Sequence, residues 1–148
     1  MDFYGIVKML HSGFRYVVFL MVLIAILQAF YGWLGKKPYT DGSRKVNLFS
    51  MIAVHTQILI GLILYFISPL VRFSAETMKD PDLRYWTVEH ISMMIFAMIL
   101  VTVGHARSKK ILVPEGKHRV IAIFYGLALL VIVLAIVQGH RPLIGSTV

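Results

Sequence analysis

The stretch Val120–Gly139 reads VIAIFYGLALLVIVLAIVQG, twenty residues without a charge. As a helix it is about 30 Å long, the hydrocarbon thickness of a bilayer. Three more stretches match it. Tyr16–Leu34 carries only Gln28 as a strongly polar interruption. Val46–Ile67 contains His55 and Gln57, and Trp86–Ala106 contains Glu89, His90 and His105. Backbone groups in lipid must be satisfied within their own segment, so these runs are expected to be helices. Outer-membrane strands would be half as long and would alternate in polarity, which these runs do not. The expectation is an all-α, four-helix transmembrane bundle forming one domain over residues 1–148, with helices at about 14–34, 46–67, 86–106 and 120–139.

Composition agrees. Hydrophobic residues make up 58% of the 148 and charged residues 15%, against roughly 25% charged in an ordinary soluble domain. Mean hydropathy is +0.77. Disorder and a nucleic-acid-binding domain are excluded as main readings, despite a net charge of +8. There is no cysteine, which removes disulfides, thiolate metal sites, iron–sulfur clusters and covalent c-type haem attachment. No P-loop, G-x-S-x-G or H-E-x-x-H motif is present.

Punctuation falls between the runs: Gly35-Lys36-Lys37-Pro38, Ser68-Pro69, Asp80-Pro81-Asp82, Pro114-Glu115-Gly116 and Gly139. The run after Arg15 is longer than a signal-peptide core, so the first segment is expected to remain as a membrane helix. The two loops on the side away from the termini hold nine of the 15 Lys and Arg against two acids, Asp41 and Glu115. Short loops rich in Lys and Arg stay cytoplasmic. Both termini and the Pro69–Arg84 loop are therefore expected outside, in the periplasm of a Gram-negative cell. On this reading the net charge reflects topology and anionic lipid. The Arg72–Asp80 loop has mixed charge and reads as a solvated loop or short surface helix.

Ionisable residues within membrane segments are by default candidate functional groups. Four of the six His lie in or beside the runs: His11, His55, His90 and His105. His90 and His105 are 15 residues apart, which in a helix is a rise of about 22 Å with about 60° between their azimuths. They share a face at opposite depths. Two stacked haems need that arrangement, each iron taking its second imidazole from another helix. Depth favours His11 with His90 and His55 with His105. The first pair is the better matched, because His55 lies further into its segment than His105 does. Arg15 and Lys8 flank His11 at one-turn spacing and Arg107 lies at the inner end, where they can pair with propionates. Glu89 and Gln57 can orient ligands or bind a quinone head group, and the bland alternative is an interfacial Glu and an interhelical Gln. His118 reads as a solvated loop residue and His140 as interfacial. The methionines read as core packing, and Tyr31, Trp33, Tyr39, Tyr85 and Trp86 as interfacial anchors. The bland alternative for every histidine is an interhelical hydrogen bond.

The segments His11-Ser12-Gly13-Phe14-Arg15-Tyr16, Gly32-Trp33-Leu34-Gly35-Lys36-Lys37-Pro38-Tyr39 and Leu83-Arg84-Tyr85-Trp86-Thr87-Val88-Glu89-His90 resemble a family of bacterial four-helix membrane proteins labelled cytochrome b or cytochrome b-like. A more distant, architectural resemblance is to the di-haem cytochrome b subunits of formate dehydrogenases and nickel–iron hydrogenases. It implies axial ligands at His11, His55, His90 and His105, one or two haems b, and electron transfer between a periplasmic partner and membrane quinone. The expectation is a multi-pass subunit of the bacterial inner membrane, working with other membrane subunits as an electron carrier rather than a stand-alone enzyme. Two alternatives stand beside it: a haem-free accessory subunit and, last, a small proton or metal-ion pathway.

Overall fold

Each helix begins before its apolar run, and each early start has a local cause. The computed structural model describes residues 2–139. In α1 (Phe3–Leu34), the Asp2 carboxylate accepts the Gly5 N–H at 2.8 Å, so the helix is capped there rather than near residue 14. His11 consequently lies two turns inside α1, where the sequence placed it ahead of the helix. In α2 (Asp41–Ile67), Thr40 and Ser43 exchange side-chain and backbone bonds in a capping box. In α3 (Pro81–Lys110), the Asp80 carboxylate accepts from the N–H groups of Asp82 and Leu83, with Pro81 in the first turn. In α4 (Pro114–Gln138), Pro114 takes the first position. The stops of α1, α2 and α4 fall where glycine and proline implied them, while α3 runs on to Lys110, four residues past its expected end. Gly35 and Gly139 return their N–H groups to Tyr31 O and Ala135 O, and Lys36 turns the chain at φ 50°.

The four helices pack as a ring. α1 lies against α2 and α4, and α3 against α4, while α2 and α3 touch most sparsely. The shared core is built from Val22, Ala25, Val101, Ile121, Tyr125 and Ala128, all essentially inaccessible. Small side chains let backbones approach, the usual device where apolar side chains gain nothing by leaving lipid. Leu20, Leu27, Leu59, Phe66 and Leu130 point outward and are more than half exposed. An apolar belt of that extent on a soluble monomer would drive aggregation. In lipid it is the solvent-facing surface. The helices have 25 to 32 residues, and all four are long and apolar enough to cross a bilayer. The chain is an all-α, multi-pass membrane protein.

α3 is not a uniform helix. It widens to a π-turn at Tyr85–Glu89 before resuming as an α-helix at His90. Residues five apart are about 140° apart on an α-helix and do not meet. On a π-turn, closed by i→i+5 bonds, they do. The consequences fall on two side-chain pairs described below. Ahead of α3, residues 74–80 form turns rather than a surface helix. That loop is tied down: Arg72 N donates to Thr87 Oγ1 at 3.0 Å, and the buried Thr77 hydroxyl donates to Arg72 O.

Candidate functional site

At the end of the bundle holding the amino terminus, α1, α2 and α3 separate around a cleft with about 170 Å³ of open space. His11, Arg15 and Lys8 line it from α1, Gln57 and Gly61 from α2, and His90 from α3, with Ile132 and Ile136 of α4 behind. The wall is largely apolar.

His11 and His90 face each other across this cleft. Their ring centres are 6.4 Å apart, with planes inclined at 79°. A ligating imidazole nitrogen sits about 2 Å from its metal and about 1.1 Å from its own ring centre. Two imidazoles on opposite sides of one metal therefore have ring centres about 6.3 Å apart. The observed 6.4 Å matches that separation and is equally the spacing of an ordinary edge-to-face ring contact.

Each imidazole is positioned by its surroundings. Gln57 Nε2 donates to the His11 carbonyl at 2.7 Å, fixing α2 against α1 at this level. Gly61 lets the His11 ring lie on α2, since a Cβ there would stand 3.0 Å from His11 Cε1. His11 Nδ1 and Gln57 Oε1 are buried without a hydrogen-bond partner among the described residues. On the other side, the π-turn puts Tyr85 beside His90. The Tyr85 hydroxyl lies 3.3 Å from His90 Nδ1 and donates to Ala135 O on α4. A hydroxyl has one proton. With its own proton directed to Ala135 O, the Tyr85 oxygen is open to accept from His90 Nδ1–H. A neutral imidazole held in one tautomer through its other nitrogen is the form that ligates metals. Gly139 completes the pocket, since a Cβ at that position would overlap the Tyr85 ring.

The π-turn also settles Glu89. Its carboxylate pairs with Arg84 five residues earlier, Nε to Oε1 at 2.8 Å. Glu89 thus faces the loop and is not the group that orients His90; Tyr85 is. The sequence placed Tyr85 at the membrane interface, and the structure buries it to 5% exposure.

The other two histidines are not brought together. His55 Nε2 lies 2.8 Å from Thr102 Oγ1, whose hydroxyl donates to Met98 O. The proton between them is therefore on His55, and its Nε2 is spent on an α2–α3 clasp. His105 lies one turn beyond Thr102. It is 2% exposed, and neither ring nitrogen has a hydrogen-bond partner among the described residues. No ring contact joins it to His55 among those residues. His118 is a correction. It is buried in α4, not solvated, because its ring fills the notch left by Gly32 and stacks edge-on against Tyr39 at 5.1 Å. Its Nε2 lies 3.2 Å from Pro38 O. His140 lies outside the described residues.

Among the described residues, no group of three or more His, Cys, Asp or Glu is placed to hold a metal ion unaided. A porphyrin brings four nitrogens of its own and asks the protein for two. The cleft offers two imidazoles at the right separation, apolar walls, and the Arg15 and Lys8 cations at its edge. The residues present fit that group. Comparison with known proteins finds no matching family model, no matching curated protein and no matching solved structure.

Proposed function

We propose that this chain is a b-type cytochrome-like subunit that carries electrons within a respiratory membrane complex, with one haem b held between His11 and His90. The observation that carries the reading is the 6.4 Å separation of the two ring centres across the cleft. Bound there, haem iron supplies a one-electron couple. The chain supplies the rest. His11 and His90 would hold the haem through one imidazole nitrogen each. Tyr85 Oη accepts a hydrogen bond from His90 Nδ1–H and donates its own O–H to Ala135 O. Gln57 holds α1 and α2 at the level of His11. Arg15 and Lys8, one turn either side of His11, provide cations for propionates. The aliphatic walls keep water out and so keep the couple in a low dielectric.

The excess of Lys and Arg at the opposite end supports a cytoplasmic position for that end, with the cleft towards the outer face of a bacterial inner membrane. A periplasmic redox partner and other membrane subunits are the electron's neighbours in this reading, and quinone is the membrane-soluble acceptor class.

A haem-free accessory subunit is the second reading, and His55 favours it, since that side chain is already a complete interhelical contact. A reduced-minus-oxidised spectrum of the intact chain purified from its native membrane, with haem counted per polypeptide, separates the two. A b-type α band at one haem per chain is expected. Protein that is folded and contains no haem would sink the electron-transfer reading.

A further inference from the structure

At the far end of the bundle, the α3–α4 hairpin forms a second recess of about 450 Å³ that owes nothing to the histidine cleft. Arg107 and Lys110 from the end of α3 and Arg119 from the start of α4 line it. Its floor is apolar: Val120, Ile123 and Phe124. Of the six other cations at this end, four are engaged. Arg44 and Lys45 pair with Asp41. The Lys117 ammonium donates to Ser108 O at 2.7 Å, and that of Lys37 lies over the Tyr31 ring. No carboxylate among the described residues pairs with Arg107, Lys110 or Arg119. The Arg107 guanidinium lies 5.7 Å from the centre of the Phe124 ring, a contact that positions it without neutralising it. Between the two helices, Leu112 is 92% exposed and Val113 61%. A hairpin tip that is apolar and sits beside three unneutralised cations belongs in the headgroup layer of a membrane.

We propose that Arg107, Lys110 and Arg119 form a binding site for the phosphate of an anionic glycerophospholipid, whose acyl chains run down the Val120–Ile123–Phe124 face. Three positive charges converging on one recess select for negative charge in the headgroup. The apolar floor, continuous with the outward face of α4, selects for a phosphate that carries a hydrocarbon tail. Both features are needed, so a free phosphate ion is a poorer ligand than a lipid phosphate.

The test uses the full chain in a neutral detergent, titrated with phosphatidylglycerol, with phosphatidylcholine and with inorganic phosphate. The readout is bound lipid by native mass spectrometry. Phosphatidylglycerol is expected to be retained and the other two not. Each cation near a membrane surface contributes about fivefold in anionic-lipid affinity, so R107Q/K110Q/R119Q is expected to lose about a hundredfold and R119Q alone about fivefold. The pair K36Q/K37Q, in the other loop at the same end, is the control and is expected to bind as the parent does. Equal loss in the control would mean diffuse attraction and no site. Retained binding in the triple variant, or displacement of lipid by inorganic phosphate, would overturn the proposal. Arg119 is exposed, so R119Q keeps the test decisive should the triple variant fold poorly.

Discussion

The cleft end of the bundle and its middle both place a histidine of α3 or α2 against a neighbouring helix, and they use it in opposite ways. At the cleft, His90 is held through Nδ1 by a tyrosine, and His11 stands opposite with a buried nitrogen that bonds nothing described. In the middle, His55 closes on Thr102 with a short bond that leaves no gap. The first arrangement sets two imidazoles edge to face across a cleft. The second is complete as it stands. A membrane histidine is informative about function according to what its second nitrogen does.

The largest effect expected from breaking this contrast is on haem. H11A and H90A should each abolish haem retention, while H55A should keep one haem per chain with an unshifted α band. Haem loss in H55A equal to that in H90A would show that the two regions are one site. Folding of each variant is checked by its thermal transition in detergent, because an Ala at a partly buried position leaves room but no new clash.

Next comes Y85F, which removes only the hydroxyl between His90 Nδ1 and Ala135 O. Loss of such an orienting partner typically costs about 10–100-fold in metal affinity. Haem should dissociate faster by that order. The midpoint potential should rise, because an Nδ1–H with no acceptor makes the imidazole a weaker donor to the oxidised iron. A redox titration reads the sign. An unchanged potential with unchanged haem affinity would remove Tyr85 from the site and leave it a packing residue.

Tyr85 also shows where sequence reasoning stopped. The four spans were legible because lipid imposes one requirement, an uninterrupted apolar run, on every residue of a segment at once. His11 and His90 were legible as a pair because charge and depth are read from counting. The partner of His90 was not. Helical spacing offers neighbours at three and four, and the tyrosine lies five residues back, where only a π-turn delivers it. The same turn takes Glu89 away to Arg84, so the carboxylate adjacent in sequence is the wrong choice. His118 failed for a different reason. Its neighbours in sequence, Lys117 and Arg119, made the segment look solvated, yet the absence of a side chain at Gly32 on a distant helix opens a slot its ring occupies. A glycine that serves a partner 86 positions away leaves no local signal.

That slot gives a third, smaller effect at the end opposite the cleft. G32A places a methyl group where the His118 ring sits. Overpacking of this kind costs about 1–3 kcal/mol, read as a lowered unfolding midpoint. Haem content should be untouched, since the cleft is at the far end. A G32A chain as stable as its parent would mean that the ring moves aside without cost.

The smallest effect expected is the sharpest test of the comparison. T102V keeps the shape of the side chain and deletes the hydroxyl that His55 meets at 2.8 Å. Interhelical side-chain hydrogen bonds in membranes average about 0.6 kcal/mol, with a ceiling near 2. The α2–α3 contact is the sparsest in the ring, so few other contacts share the load and the loss should approach that ceiling. Stability should therefore fall measurably in a detergent or steric-trap unfolding assay, while haem stoichiometry and potential stay as in the parent. Restoring a partner by T102S should recover most of the stability, since serine returns the oxygen and loses only a methyl group. If T102V instead shifts the haem potential as much as Y85F does, His55 is coupled to the cleft, and the division of these histidines between a clasp and a cleft is wrong.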